Sequence, residues 1–321
     1  MGIGNLMKPT RREFLKLCAS SAAGLGISQL RIPAVLAALE KAAAGNPPVI
    51  WIQGSGDDGC LVSLLNTAHP TIAELLLKII SLQYSPTIMA ASGKLAISHL
   101  DAIAEQTKGK FILVVEGAVP TKDDGAYCTI GQRDGKHITM LQTVKDLGPK
   151  AKAVIALGAC ATHGGIPAAK PNPTEAKGVR DVLGKEAKVI NVPGCPAHPD
   201  WFVGTLVHLL MYGTPELDDQ ARPKMFYADT IHQNCQNYSY YMDGKFAAKF
   251  GENGCLIQLG CKGPMTNSDC PIRRWNSGVQ WCVGAGAPCI GCCSLQFPEE
   301  LSPFYAALPE QLWPQKQTKL A

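Results

Sequence analysis

The chain has 321 residues, of which 46% are apolar and 17% charged, and its net charge is only +4. That length exceeds one ordinary core, so two well-buried globular domains are expected. Part of the small positive charge sits on Lys8, Arg11, Arg12 and Lys16, which leaves little case for a nucleic-acid binder.

The N-terminal segment reads as an address. Thr10-Arg11-Arg12-Glu13-Phe14-Leu15-Lys16 matches a twin-arginine signal, followed by a weakly apolar stretch from Leu17 to Leu39 that Arg31 and Pro33 interrupt. The plainer alternative is an amphipathic helix. Residues 1–45 are expected to be a signal peptide, cleaved near the stretch from Ala37 to Ala44, which places the mature chain in the periplasm. Past this leader no apolar run reaches the roughly 18 residues that span a bilayer. The mature chain is therefore expected to have no transmembrane helix and to be soluble or peripherally membrane-associated.

Pro48 to Gln53 is a short apolar run ending in Gly54, Gly56 and Gly59, the pattern of a buried strand feeding a loop. Helical spacing follows from Cys60 to Ile80, broken once at Pro70. Ile97 to Ile103 predicts a helix, Lys110 to Glu116 a second strand, Ile138 to Leu147 a helix, Ala153 to Leu157 a third strand and Lys188 to Val192 a fourth. Trp201 to Leu210 predicts another helix. Strands alternating with helices predict a parallel sheet covered on both faces, whose ligands gather at the carboxyl ends of its strands. Asp57-Asp58-Gly59-Cys60, Glu116-Gly117, Gly158-Ala159-Cys160 and Pro193-Gly194-Cys195-Pro196 all stand at such ends. Three cysteines in glycine-containing turns at one sheet edge point to a metal centre; a buried structural thiol explains one of them but not three.

From about Pro215 the texture changes to glycine, proline, asparagine and aromatic residues with little periodicity. Such a segment cannot easily order itself by burial alone, and eight of the chain's thirteen cysteines lie in it. Two ligand-like groups stand out by spacing. One is His232-x-x-Cys235 with Cys255 and Cys261; the other is Cys270, Cys282, Cys289 and Cys292. Zinc and iron-sulfur clusters both suit such donors, and spacing does not separate them. Disulfides are disfavoured, because the first half has its own α/β core pattern and most cysteines fall in turns or tight spacings.

The segments Trp51 to Asn66, Gly158 to Gly165, Val192 to Trp201, His232 to Cys235, Leu259 to Pro264, Asp269 to Trp275 and Cys289 to Cys292 together resemble the small subunit of nickel-iron hydrogenases, in order over nearly the whole mature chain. The resemblance implies an α/β, flavodoxin-like parallel-sheet domain over residues 46–215. An irregular iron-sulfur cluster-binding domain would follow over 216–321. It implies a proximal 4Fe-4S cluster held by Cys60, Cys160 and Cys195, a distal one by His232, Cys235, Cys255 and Cys261, and a medial one by Cys270, Cys282, Cys289 and Cys292. Cysteine at position 282, where many members carry proline, resembles the nickel-iron-selenium subclass and implies a medial 4Fe-4S cluster. The implied role is electron transfer for a periplasmic hydrogenase. Hydrogen would react at a NiFe or NiFeSe centre in a partner large subunit, with a multihaem cytochrome c as acceptor, and no residue of this chain would be catalytic.

One departure stands out. Members of the family open the proximal site with C-T-x-C, whereas this chain has Asp57 at the first cysteine position. Ligation by Asp57, an open corner and an incomplete cluster are the three outcomes; ligation is the one expected, through a harder and more labile donor. Asp58 matches the threonine position and is expected to be a solvated loop acid. Gly59 and Gly165 occupy the positions of the two extra cysteines of oxygen-tolerant members, so that device is absent. Glu116 is either a tuning or proton-relaying group or an ordinary carboxylate. Cys18, Cys128 and Cys293 have no assigned role. The rivals are the related iron-sulfur subunit of quinone-reducing complexes, which lacks the C-terminal cluster domain, and an exported zinc- or disulfide-stabilised binding protein.

Overall fold

A computed structural model describes residues 46–314. The twin-arginine segment and Cys18 lie outside the described residues.

Five parallel strands form the central sheet: β1 (Pro48–Gln53), β2 (Ser81–Tyr84), β3 (Ile112–Glu116), β4 (Ala153–Leu157) and β5 (Val189–Val192). Their spatial order is β2-β1-β3-β4-β5, the flavodoxin-like doubly wound arrangement. Because successive side chains on a strand point to opposite faces, each strand feeds two cores. Trp51, Val114, Ile155 and Val192 pack on one face, and Ile52, Val115, Ala156 and Val189 on the other.

The main helices are α1 (Gly59–Leu65), α2 (Gly93–Gln106), α3 (Met140–Leu147), α4 (Gly158–His163) and α5 (Pro199–Tyr212). The helical stretch expected from Cys60 to Ile80, broken at Pro70, is two pieces, α1 and a short helical segment from Ile72 to Ile79, and β2 follows it. The residues Lys136–Thr139, just ahead of α3, form a strand that pairs with Thr129–Arg133 across Asp134 and Gly135. Both turn residues have positive φ, 51° and 76°, which suits a two-residue hairpin turn.

Beyond α5 the chain from 216 to 314 holds only helical turns of three to five residues. A small cluster of its own is built on Tyr241, Cys255 and Ile257, and much of the rest packs on the sheet domain. Tyr227, Leu256, Cys270, Trp281 and Cys293 belong to the same cluster as Trp51 and Trp201 of the sheet domain. A buried ionic network strengthens this seam: Arg273 bonds Asp269 at 2.6 Å and Asp200 at 3.2 Å, and Asp269 accepts the Trp201 indole N–H at 2.7 Å. Among the described residues no helix is long and apolar enough to cross a membrane.

Candidate metal-cluster sites

The sheet topology carries Cys60, Glu116, Cys160 and Cys195 to one edge, since each follows or ends a different parallel strand. Cys60 and Cys160 lie in the first turns of α1 and α4, and Cys195 lies in the loop after β5. Burial first, and then Glu116, pushes the Cys60 thiol well up, with Cys160 and Cys195 adding to it. Cys195 is pushed up to about 12 by burial, then by Cys160, Cys292 and Asp57. Asp57 therefore stands near both Cys160 and Cys195, on an exposed loop, with its Oδ1 accepting the Gly59 N–H at 3.0 Å.

Two glycines shape this edge. A Cβ on Gly158, whose φ is +87°, would lie 2.5 Å from the Cys60 sulfur. One on Gly165, φ +50°, would lie 2.8 Å from the Cys160 backbone nitrogen. The first leaves room for the thiol, and the second shows why an added cysteine at Gly165 would require the backbone to move.

Glu116 is no surface carboxylate. It is 3% exposed and accepts four hydrogen bonds, from the Cys60 and Leu61 N–H groups, the Trp51 indole and the Gln53 amide. Burial raises its pKa above the usual carboxylate range, although these donors oppose the shift. Asp58 bonds Thr87 at 3.2 Å and sits at the start of α1 with φ 57°. Cys128 is half-buried and packs against the opposite sheet face, away from these thiols.

In the irregular region a small hollow is lined by His232, Cys235, Cys255 and Cys261 together. The His232 Nε2 is buried without a hydrogen-bond partner, and edge contacts with Tyr238 and Tyr241 hold its ring. An orphaned imidazole nitrogen beside three thiols is costly unless something electrophilic completes it. Cys270, Cys282, Cys289 and Cys292 form the other group: Cys282 feels Cys292 and Cys270, and Cys289 feels Cys261 of the first group and then Cys292 and Cys282. Cys270 and Cys289 are buried, whereas Cys282 is exposed.

One local geometry recurs. Asn237 and Gly291 each donate a backbone N–H at 3.4 Å to the sulfur two residues earlier, that of Cys235 and Cys289. Such donors stabilise thiolate charge, and hydrogen bonds to sulfur are among the levers that set cluster potentials. Every cysteine from Cys60 to Cys293 has a free thiol. Among the described residues no three His, Cys, Asp or Glu side chains stand close enough to share one metal ion.

Residues 58–209 match the family model of the NADH ubiquinone oxidoreductase 20 Kd subunit, and residues 227–305 match that of the C-terminal part of the NiFe/NiFeSe hydrogenase small subunit. The chain is 49% identical to the periplasmic [NiFeSe] hydrogenase small subunit of Desulfomicrobium baculatum over 94% of its own length and 100% of the relative's. The chain belongs to the NiFe/NiFeSe hydrogenase small-subunit family.

The periplasmic [NiFe] hydrogenase small subunit of Solidesulfovibrio fructosivorans is 41% identical, with 92% of each chain covered. A crystal structure of the reduced, active Ni-Fe-Se hydrogenase from Desulfomicrobium baculatum superposes with a TM-score of 0.79 at 49% identity, covering 82% of this chain and 100% of that one. The hydrogenase match over 227–305 falls on the segment that the quinone-reducing rival lacks, and so counts against that rival. Sequence reasoning left Cys293 of this hydrogenase small subunit without a role. The structure buries it to 1% exposure beside Cys270 and Cys292.

Proposed function

We propose that this chain is the electron-transfer subunit of a periplasmic hydrogenase, exported by the twin-arginine pathway. Residues 46–215 would carry the proximal cluster and residues 216–321 the medial and distal ones. Asp57, Cys60, Cys160 and Cys195 hold the proximal 4Fe-4S cluster; Cys270, Cys282, Cys289 and Cys292 the medial; His232, Cys235, Cys255 and Cys261 the distal. When bound, such clusters supply one-electron storage and transfer. Hydrogen is oxidised, or protons reduced, at a NiFe or NiFeSe centre in the partner large subunit, and a multihaem cytochrome c is the acceptor.

The observation that carries this reading is a pair of links between the donor groups. Cys195 and Cys292 pack against the same small apolar cluster of Ala159, Phe297 and Leu301, which joins the proximal donors to the medial. The Lys262 N–H, next to Cys261, donates to the Cys289 carbonyl at 2.7 Å, which joins the medial donors to the distal. Donor sets that touch in series suit stepwise electron transfer, whereas independent structural zinc sites have no need of such contacts.

Acid-labile sulfide in the purified complex of large and small subunits tests the proposal, because a NiFe centre adds none. About twelve sulfides per chain are expected for three 4Fe-4S clusters. About eight would remove the proximal cluster, and with it the role given to Asp57. None, with stoichiometric zinc or disulfides in its place, would overturn the proposal in favour of an exported binding protein.

A further inference from the structure

A histidine ring turns about a side-chain bond that has no sharply preferred angle, so its plane is set by what packs against it. For His232 that packing is aromatic. Tyr238 meets its ring at 5.1 Å and 64°, and Tyr241 meets it at 4.7 Å and 89°, the edge-to-face arrangement that ring quadrupoles favour.

Tyr241 is in turn held from its far side by the last described residues of the chain. It is 3% exposed, and its hydroxyl donates to the carbonyl of Pro314, 73 positions later. Phe246 packs edge-on against Tyr241 at 6.0 Å and against Trp313 at 5.2 Å. The Trp313 indole N–H donates to the Leu308 carbonyl at 2.9 Å, which ties this segment back on itself. Phe246 also stands beside a second distal donor. The Cys255 N–H bonds the Lys245 carbonyl at 2.9 Å, and the Cys255 carbonyl accepts the Ala247 N–H at 3.1 Å. Tyr241 and Cys255 accordingly share one small core, on which Phe246 and Trp313 both pack.

The contacts run in one line, Trp313 to Phe246 to Tyr241 to His232, and end on an imidazole whose buried Nε2 has no protein partner. We infer that Tyr241 is a positioning residue for His232, and that the segment from Leu308 to Pro314 is a strap that fixes Tyr241, so that the imidazole meets the distal cluster in one orientation. This rests on the assignment of His232 to the distal cluster proposed above. Groups around a ligating histidine fix its ring and, with it, the strength of ligation.

The test uses the purified complex of large and small subunits, grown with isotopically labelled histidine, and reads the histidine-nitrogen coupling of the reduced distal cluster by pulsed electron paramagnetic resonance. One strong coupling is expected in the unsubstituted complex. Trp313→Ala releases Phe246, and the single coupling is lost to a spread of weaker ones, while acid-labile sulfide and the proximal and medial signals stay as they were. Trp313→Phe, which keeps an aromatic ring against Phe246, restores the single coupling.

A single, unshifted coupling in Trp313→Ala overturns the inference, and so does a phenylalanine variant that behaves as the alanine one does. Should Trp313→Ala lose distal sulfide, Tyr241→Phe decides, because it removes only the hydroxyl that bonds Pro314. A spread of couplings there upholds the strap, and a single one overturns it. Absence of any strong histidine coupling in the unsubstituted complex would be a failure of the His232 assignment itself, and the inference would fall with it.

Discussion

The carboxylate of Glu116, at the end of β3, accepts the backbone N–H of Cys60 at 2.9 Å and that of Leu61 at 3.1 Å. One side chain thus anchors the first turn of α1 to the neighbouring strand and sets where the Cys60 sulfur points. Glu116→Gln keeps the size but replaces one acceptor oxygen with a donor, leaving a buried N–H group without a partner. A loss of about 1–3 kcal/mol is expected, read as a lower denaturant midpoint together with a changed proximal-cluster spectrum.

Gly158 packs where a side chain would meet the Cys60 sulfur, in a backbone conformation that L-residues avoid. Gly158→Ala is expected to cost about 1–2 kcal/mol in backbone strain alone, and to displace Cys60. Sulfide analysis should then show loss confined to the proximal cluster, with the medial and distal signals kept.

His232 brings an imidazole to a site otherwise lined by thiols, with a buried nitrogen that no protein group satisfies. In His232→Ala the distal cluster should become labile, seen as a lower sulfide content and a lost or altered distal signal. Added imidazole should restore the signal. A variant with an unchanged distal spectrum would remove His232 from the ligand set.

Arg273 is 2% exposed, is ion-paired with both Asp200 and Asp269, and stacks over Phe226. Removing it leaves two carboxylates facing each other at the seam between the sheet domain and the cluster region. Arg273→Ala should therefore destabilise the chain by about 3–5 kcal/mol, measured by denaturant unfolding. Arg273→Lys, which loses the planar fork, should recover only part of this.

Burial lowers the His163 imidazole to about 4, with the Phe297 carbonyl bond acting against the shift. The sign follows from the proton count. The unfolded chain takes up a proton near pH 6.5, and the folded chain resists until about 4, so acid favours unfolding across that window. The stabilisation is whole above about pH 7 and is lost as pH falls, about 2–3 kcal/mol by pH 4.5. His163→Gln should unfold with a shallower pH dependence between pH 7 and 4.5, and an unaltered slope would show that another group dominates.

Much of the sheet domain was legible in the sequence, because a strand buried on both faces reads as an unbroken apolar run: Ile50 to Ile52, Leu113 to Val115 and Val154 to Ala156 are such runs. Ser81 to Tyr84 was missed. It forms an edge strand paired only with β1, and its mixed side chains carry no such run. The Asp134-Gly135 hairpin did leave a signal, since that dipeptide between two β-compatible segments favours a two-residue turn. The apolar spacing of the adjoining helix obscured it.

Residue types alone establish the chemistry open to this chain: soft thiol donors, one imidazole, and a carboxylate where a thiol is expected. Which donors meet is a matter of the folded arrangement. The packing of Cys195 and Cys292 on one cluster, the bond from the Lys262 N–H to the Cys289 carbonyl, and the burial of Cys293 depend on a segment from 216 to 314 that has almost no regular elements and folds largely against the sheet domain's own core. Local periodicity carries no record of such contacts, because no repeating backbone hydrogen-bond pattern ties sequence position to direction there.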